Sequence, residues 1–285
     1  MAIGCPADSR KEGAKMNQTR SVWLQELTWE DVAAYLKADD IILFPIGSTE
    51  QHGPAGPLGV DSYAAIALAE DAARKAQVLV VPPLWFGDSA HHLDFPGTIS
   101  LKTETLTAVA KDVIRSLARH GFKKIIVING HKGTNIAALV TACRNLHQDE
   151  LPDVLLALVD PLFLAKGIAH IKDAVEHHAG ELEISHVWYK YPHLVKKEKL
   201  TPGQVDLPPI LSPFVHEDLF GKAGDSIEIF WNSREQRAFT PSGSFSDSSK
   251  ASPNKGRQYH DHMVQNLVKF IAWLRQYKGP VGRSK

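Results

Sequence analysis

Glu50, His52 and Asp61 fall close together in the stretch Glu50-Gln51-His52-Gly53-Pro54-Ala55-Gly56-Pro57-Leu58-Gly59-Val60-Asp61. Carboxylates and imidazoles are good donors to a divalent cation, and a fixed Gly/Pro-rich loop can turn three of them inward. The plain alternative is a surface loop of turn formers with unrelated polar residues. This stretch alone does not choose between the two.

Two more segments carry the same residue types. Asn129-Gly130-His131-Lys132-Gly133-Thr134-Asn135 offers one histidine, which could equally be a cap or a core residue. Glu176-His177-His178-Ala179-Gly180-Glu181-Leu182-Glu183-Ile184-Ser185-His186 offers several, close after His170. Helical spacing from 181 puts Glu181 in a first turn, where a carboxylate suits the positive end of the helix dipole. Glu183 lies toward the opposite side, so the two carboxylates are expected to do different jobs. By spacing alone, a solvated helix start explains this segment better than catalysis does.

The elements that position these residues follow from periodicity. Ile41-Ile42-Leu43-Phe44-Pro45-Ile46-Gly47 has the length and composition of a buried strand, and 62–75 has helical spacing. A strand over 78–84, a helix over 102–120 closed by Gly121, a strand over 123–128 and a helix over 136–146 follow. The segment 154–159 reads as a fourth strand, 226–230 as a further short strand, and 255–277 as an amphipathic helix with Val264, Leu267, Ile271 and Leu274 on one face. A short entry helix lies within 21–38, with Thr28 and Asp31 spaced as a cap. The non-periodic segment 86–100, which contains His91-His92, is a long loop of the kind compact domains keep for function. Residues 191–224 read as an excursion covering the site or meeting another subunit, and 240–252 as a polar linker or mobile loop. Strands alternating with helices predict an α/β fold with a mostly parallel sheet. Histidine-bearing loops at the ends of two parallel strands can then meet in one crevice.

Composition narrows the classes. The chain has 285 residues and a formal net charge of zero, with no basic stripe to suggest a nucleic-acid or membrane partner. Its two cysteines, Cys5 and Cys143, form no disulfide framework, which favours a cytoplasmic setting. Residues 1–20 are polar and basic with no apolar core, and are expected to be a disordered extension ahead of one domain over 21–280. A phosphate-cradle reading of the first loop fails for want of the P-loop lysine and the spaced glycines of a dinucleotide fingerprint.

Taken in order, Pro45-Ile46-Gly47-Ser48-Thr49-Glu50-Gln51-His52-Gly53-Pro54, Pro57-Leu58-Gly59-Val60-Asp61, Phe95-Pro96-Gly97-Thr98-Ile99-Ser100, Asn129-Gly130-His131 and His178-Ala179-Gly180-Glu181-Leu182-Glu183 resemble the creatininase (creatinine amidohydrolase) family. A weaker piece lies within 243–256, and the resemblance spans nearly the whole chain after Val22. It implies a single α/β domain, a small-molecule substrate, one or two divalent ions (Zn, Mn or Fe) per chain and a homohexamer. Glu50, His52, Asp61 and His131 match the family's metal ligands, with Asp61 in the bridging place. His178 and Glu183 match its catalytic segment, and Glu183 is also a candidate ligand. The implied chemistry is opening of a small cyclic amide by a metal-bound hydroxide, with Glu183 or His178 shuttling the proton. Formamide deformylation and hydrolysis of a lactone or cyclic polyol ketone are the alternatives, along with a metal-binding protein that does not catalyse. Two departures stand out: Gly133 occupies a position where creatininase carries a glutamate ligand of its second metal, and Ala55 one where the family often has histidine.

Overall fold

The strand Ile41–Ile46 (β1) is apolar along its whole length because both of its faces are covered. A computed structural model of the protein describes residues 21–204, 206 and 230–277. Four strands form a parallel sheet in the order β2-β1-β3-β4, with β2 at Leu79–Val80, β3 at Lys124–Asn129 and β4 at Leu155–Val159. Ile42 registers with Leu79, Phe44 with Val127, and Ile126 with Ala157. Alternate strand residues point to opposite faces. Ile41, Leu43, Ile126 and Ile128 pack against α2 (Val60–Ala76) and α8 (Pro253–Gln276). Ile42, Phe44, Ile125 and Val127 pack against α3 (Thr103–His120) and α4 (Asn135–Asn145). The expected single α/β domain with a parallel sheet flanked by helices is the architecture found.

Several boundaries differ from expectation for local reasons. The second strand is two residues long rather than 78–84, because Pro82 and Pro83 have no N–H for the ladder; contact resumes only as a bridge from Leu84 to Ile46. The first long helix starts at Val60, with Gly59 as its N-cap, so Asp61 stands in the helix's first turn and not in the loop. The entry segment splits into a 3-10 turn, Leu24–Glu26, and α1, Trp29–Tyr35, where Thr28 and Asp31 form both bonds of a capping box. Gly121 closes α3 at φ +112°, a conformation that favours glycine. The last helix carries Val264, Leu267, Ile271 and Leu274 fully buried, as its period predicts. The expected strand at 226–230 and the extension 1–20 lie outside the described residues, except that Phe230 is seen and is not in a strand. The excursion from 191 begins as two 3-10 turns, Pro192–Leu194 and Lys197–Lys199, and after residue 204 lies almost wholly outside them. Among the described residues, no helix is long and apolar enough to cross a membrane.

The 240–252 loop is not a linker. Thr240, Ser244, Ser246 and Ser248 are buried, and hydroxyls hold the segment to its neighbours: Ser244 Oγ donates to Ala179 O at 3.2 Å and Ser248 Oγ to Thr201 O at 3.0 Å. Composition cannot separate a serine that solvates a loop from one that ties it down.

Three shorter helices complete the described fold, α5 at Pro161–Ala165, α6 at Glu181–Lys190 and α7 at Ser233–Phe239. Helix α6 is pinned to its neighbours by polar contacts. His186 Nε2 and His260 Nδ1 lie 2.8 Å apart, and Asp71 Oδ2 accepts from His260 Nε2 at 2.8 Å and from Lys190 Nζ at 2.6 Å. Glu181 is buried, accepts the backbone N–H of Asp173 and Ala174 at 2.9 and 3.0 Å, and pairs with Lys255 of α8. Lys255→Met leaves that carboxylate buried without its cation. It is expected to lower unfolding stability by about 3 kcal/mol in urea titration; an unchanged midpoint would show that the pair is not structurally important.

Candidate metal centre

At the carboxyl ends of β1 and β3, four buried side chains converge. Glu50 and His52 come from the loop after β1, Asp61 from the first turn of α2, and His131 from the loop after β3. Asp61 spans two imidazoles: Oδ1 lies 3.2 Å from His52 Nε2 and Oδ2 lies 3.2 Å from His131 Nδ1. Glu50 Oε1 lies 3.3 Å from His131 Nδ1. The backbone bond from Glu50 N to Leu58 O, at 2.8 Å, closes the loop and turns Glu50 inward. Two glycines let the start of α2 come close to the sheet. A Cβ on Gly47 would lie 2.4 Å from the Ser62 backbone, and one on Gly130 would lie 2.1 Å from the Asp61 carbonyl oxygen.

Backbone carbonyls orient the histidines. His52 Nδ1 faces Glu50 O at 3.2 Å, and His131 Nε2 faces Asp88 O at 3.0 Å. If each of these nitrogens donates, the other presents its lone pair to the cluster, as second-shell bonds do for metal-binding imidazoles. Asn135 ties the three contributing loops together: Nδ2 donates to Gly47 O and to Asn129 Oδ1, and Oδ1 accepts from Asp88 N. Among the described residues, both oxygens of Glu50, His52 Nε2 and Asp61 Oδ2 are buried without a hydrogen-bond partner. Leaving such atoms unsatisfied is costly, and a cation between them would satisfy all four at once.

The third segment closes over this cluster. Ala179 sits at φ +57°, a strained left-handed position for a residue with a Cβ, just before α6. Its N–H donates to Glu183 Oε2 at 2.8 Å, which lies 4.0 Å from His52 Nε2. His178 Nδ1 lies 3.6 Å from Glu50 Oε1, with its Nε2 2.7 Å from Gln51 O. Glu181 turns away to Lys255, so the two carboxylates do separate, as their spacing predicts. His170 is exposed, and His186 belongs to the helix tie with His260; neither joins the cluster.

Sequence reasoning passed over four contributors. The His91-His92 pair marked its loop as functional, yet neither residue stood out singly; both rings reach the cluster, with His92 Nε2 3.6 Å from Glu50 Oε1. Gln51 has no signal beyond its neighbours, although its amide sits 3.0 Å from both His92 Nδ1 and Gly243 O. Buried Glu176 accepts from Leu182 N and Glu183 N at 2.9 and 3.2 Å and so caps α6.

Charge is balanced inside the cluster. Burial disfavours ionised Glu50 and Asp61, but His131 beside Glu50, and His52 and His131 beside Asp61, outweigh it and hold both carboxyls well below their usual range. Burial opposes a charge on His52, yet Asp61 and then Glu183 push it up to about 9. His178 goes the other way, held neutral first by burial and then by His52. Burial pushes Glu183 up to about 7. A divalent cation supplies the same positive charge and releases the imidazole protons. A cavity of about 840 Å³ opens onto Asp61, His91, His131, His178 and Glu183, with Trp231 and Phe245 among its apolar walls.

Residues 25–271 match the family described as Creatininase: Creatinine amidohydrolase. The chain belongs to the creatininase family. Among curated relatives, it is 27% identical over 282 residues to a 3-dehydro-scyllo-inosose hydrolase of Thermotoga maritima, covering 94% of this chain and 88% of that protein. It is 30% identical over 250 residues to a mycofactocin precursor peptide peptidase of Mycobacterium ulcerans, covering 85% and 87%. Among solved structures, one described as Creatininase Mn superposes with a TM-score of 0.73 at 26% identity over 91% of this chain and 100% of that one. A creatininase mutant described as Zn-Zn type gives 0.73 at 25% identity over 92% and 100%. The chain is thus a creatininase-family hydrolase with a cluster of donors suited to a metal.

Because Gly130 leaves no room for a Cβ against Asp61, Gly130→Ala is expected to cost about 2 kcal/mol of stability and to displace Asp61. Chemical denaturation beside a metal-binding assay checks this. A variant matching wild type in both would contradict the close approach.

Proposed function

We propose that this chain opens a small cyclic amide in a divalent-metal-dependent hydrolysis, with Glu50, His52, Asp61 and His131 as metal ligands and His178 and Glu183 as the groups beside the substrate. The observation that carries this is the carboxylate of Asp61 set between two imidazoles, among buried donor atoms that have no hydrogen-bond partner among the described residues. Solved creatininases described as manganese and zinc forms support the choice of metal. When bound, such an ion acidifies water and polarises a carbonyl oxygen.

The chain's own residues do the rest. Glu50 and Asp61 supply two negative charges, and His52 and His131 each present one lone pair whose direction a backbone carbonyl fixes. Glu183 lines the cavity with a carboxyl held at about 7, near the working pH of a group that accepts a proton and returns it to a leaving nitrogen. His178, kept neutral and oriented by the Gln51 carbonyl, can accept a hydrogen bond from substrate through Nδ1. Trp231 and Phe245 keep part of the cavity apolar, which strengthens these interactions. A cytoplasmic homohexamer belongs to the same reading, from the family resemblance and the cysteine usage. A cyclic polyol ketone is the second substrate reading, favoured by the match to an inosose hydrolase along 94% of this chain.

Three measurements bear on this. Turnover of a panel of cyclic amides, formamides, lactones and cyclic ketones with added Mn²⁺ or Zn²⁺ is expected to be greatest for a cyclic amide. No turnover of any class by metal-loaded protein would favour a binding protein. Asp61→Ala is expected to lose bound metal and fall below about one-hundredth of wild-type activity; an active, metal-replete variant would remove Asp61 from the site. Glu183→Gln is expected to keep its metal while kcat drops about 100-fold or more. Loss of one ion per chain would instead make Glu183 a ligand.

A further inference from the structure

We infer that His91 is a metal ligand: its Nδ1 completes the donor set that Glu50, Asp61 and His131 form on one side of the Asp61 carboxylate. This rests on the metal-dependent reading above and adds a residue that the sequence motifs do not contain. Asp61 divides the cluster, with Oδ1 toward His52 and Oδ2 toward His131. On the His52 side, Glu183 and His178 bring further donors within 4.8 Å of one another. On the His131 side, Glu50 and Asp61 supply carboxylates and His131 supplies Nδ1, which makes three protein donors.

His91 stands where it can add a fourth. One donor atom from each of Glu50, His91 and His131 lies within 4.8 Å of the other two. Among the described residues, neither the buried His91 Nδ1 nor either oxygen of Glu50 has a hydrogen-bond partner. Gly133 lies beside both rings: a Cβ there would be a tight 3.2 Å from the Cε1 and Nε2 atoms of His131 and an ordinary 3.8 Å from His91 Cε1. The His91 and His131 rings stack at 18° with centroids 6.0 Å apart.

The adjacent His92 does not fit this role. Its Nδ1 is 3.0 Å from the Gln51 amide nitrogen, which can only donate, so neutral His92 carries its proton on Nε2, the atom facing Glu50. The paired histidines therefore differ: His91 offers a lone pair to the ion, while His92 turns its Nε2–H toward Glu50 Oε1 at 3.6 Å, beyond hydrogen-bond reach.

Calorimetric titration of metal-free protein with Mn²⁺ and Zn²⁺ tests this directly, comparing wild type with His91→Ala and with His91→Phe, which keeps a ring but no donor. Both variants are expected to bind one ion per chain more weakly by more than about 100-fold, the upper end of losses from second-shell changes. His91→Asp, which restores a donor, is expected to recover most of the affinity. The Co²⁺-substituted protein gives a second readout, because loss of a nitrogen ligand changes its visible spectrum even if stability also shifts. Wild-type affinity and an unchanged cobalt spectrum in both His91→Ala and His91→Phe would overturn the inference while leaving the hydrolase reading intact. No metal binding by wild type would overturn both.

Discussion

Two carboxylates, Glu50 and Asp61, are buried side by side where the two central strands end. Burying even one ionised carboxylate without compensation is expensive, and burying two close together is more so. The surroundings answer that cost with imidazoles on either side of Asp61, and His92 and His178 near Glu50. A cation held among them removes the need for protons on His52 and His131 and gives the unsatisfied oxygens a partner. The site is thus a region whose electrostatics make sense around a positive charge.

That requirement explains features that otherwise look unrelated. The glycines at 47 and 130 let the start of α2 come against the strand ends, where Asp61 lies between the two histidines. Asn135 and the carbonyls of Glu50 and Asp88 fix ring orientation, so that the other nitrogen of each ring points inward. Gln51 joins His178, His92 and the Gly243 carbonyl, which couples the loop after β1 to the serine-rich wall. Behind the cluster, Glu176 caps α6 and the Lys255–Glu181 pair anchors it, so Glu183 is presented from a fixed helix. Ala179, strained at φ +57°, directs its N–H to Glu183 Oε2.

Much of this was legible in the residues. β1 and β3 read as strands because fully covered parallel strands are continuous apolar runs, and α8 read as a helix because one face alone is buried. Glu50, His52, Asp61 and His131 stood out as donors, and the opposite duties of Glu181 and Glu183 followed from helical geometry. What stayed hidden depended on distant partners. Nothing local distinguishes His91 from His92; the difference lies in Gln51, forty residues earlier in the chain. Glu176 looks like any surface acid until α6 is folded over it. The serines of 240–252 look like a linker until their hydroxyls find carbonyls on other segments. The second strand was overread because apolar residues continue past the point where prolines end the ladder.

The central claim is that the two buried carboxylates exist to hold a divalent ion. Anomalous X-ray diffraction from crystals of the manganese- or zinc-loaded protein, recorded on either side of the metal's absorption edge, tests it most directly. The account predicts a peak within about 2.0–2.2 Å of an Asp61 oxygen and of His131 Nδ1. Loaded crystals with no peak at Asp61, and with the carboxylates paired only to protonated histidines, would contradict it.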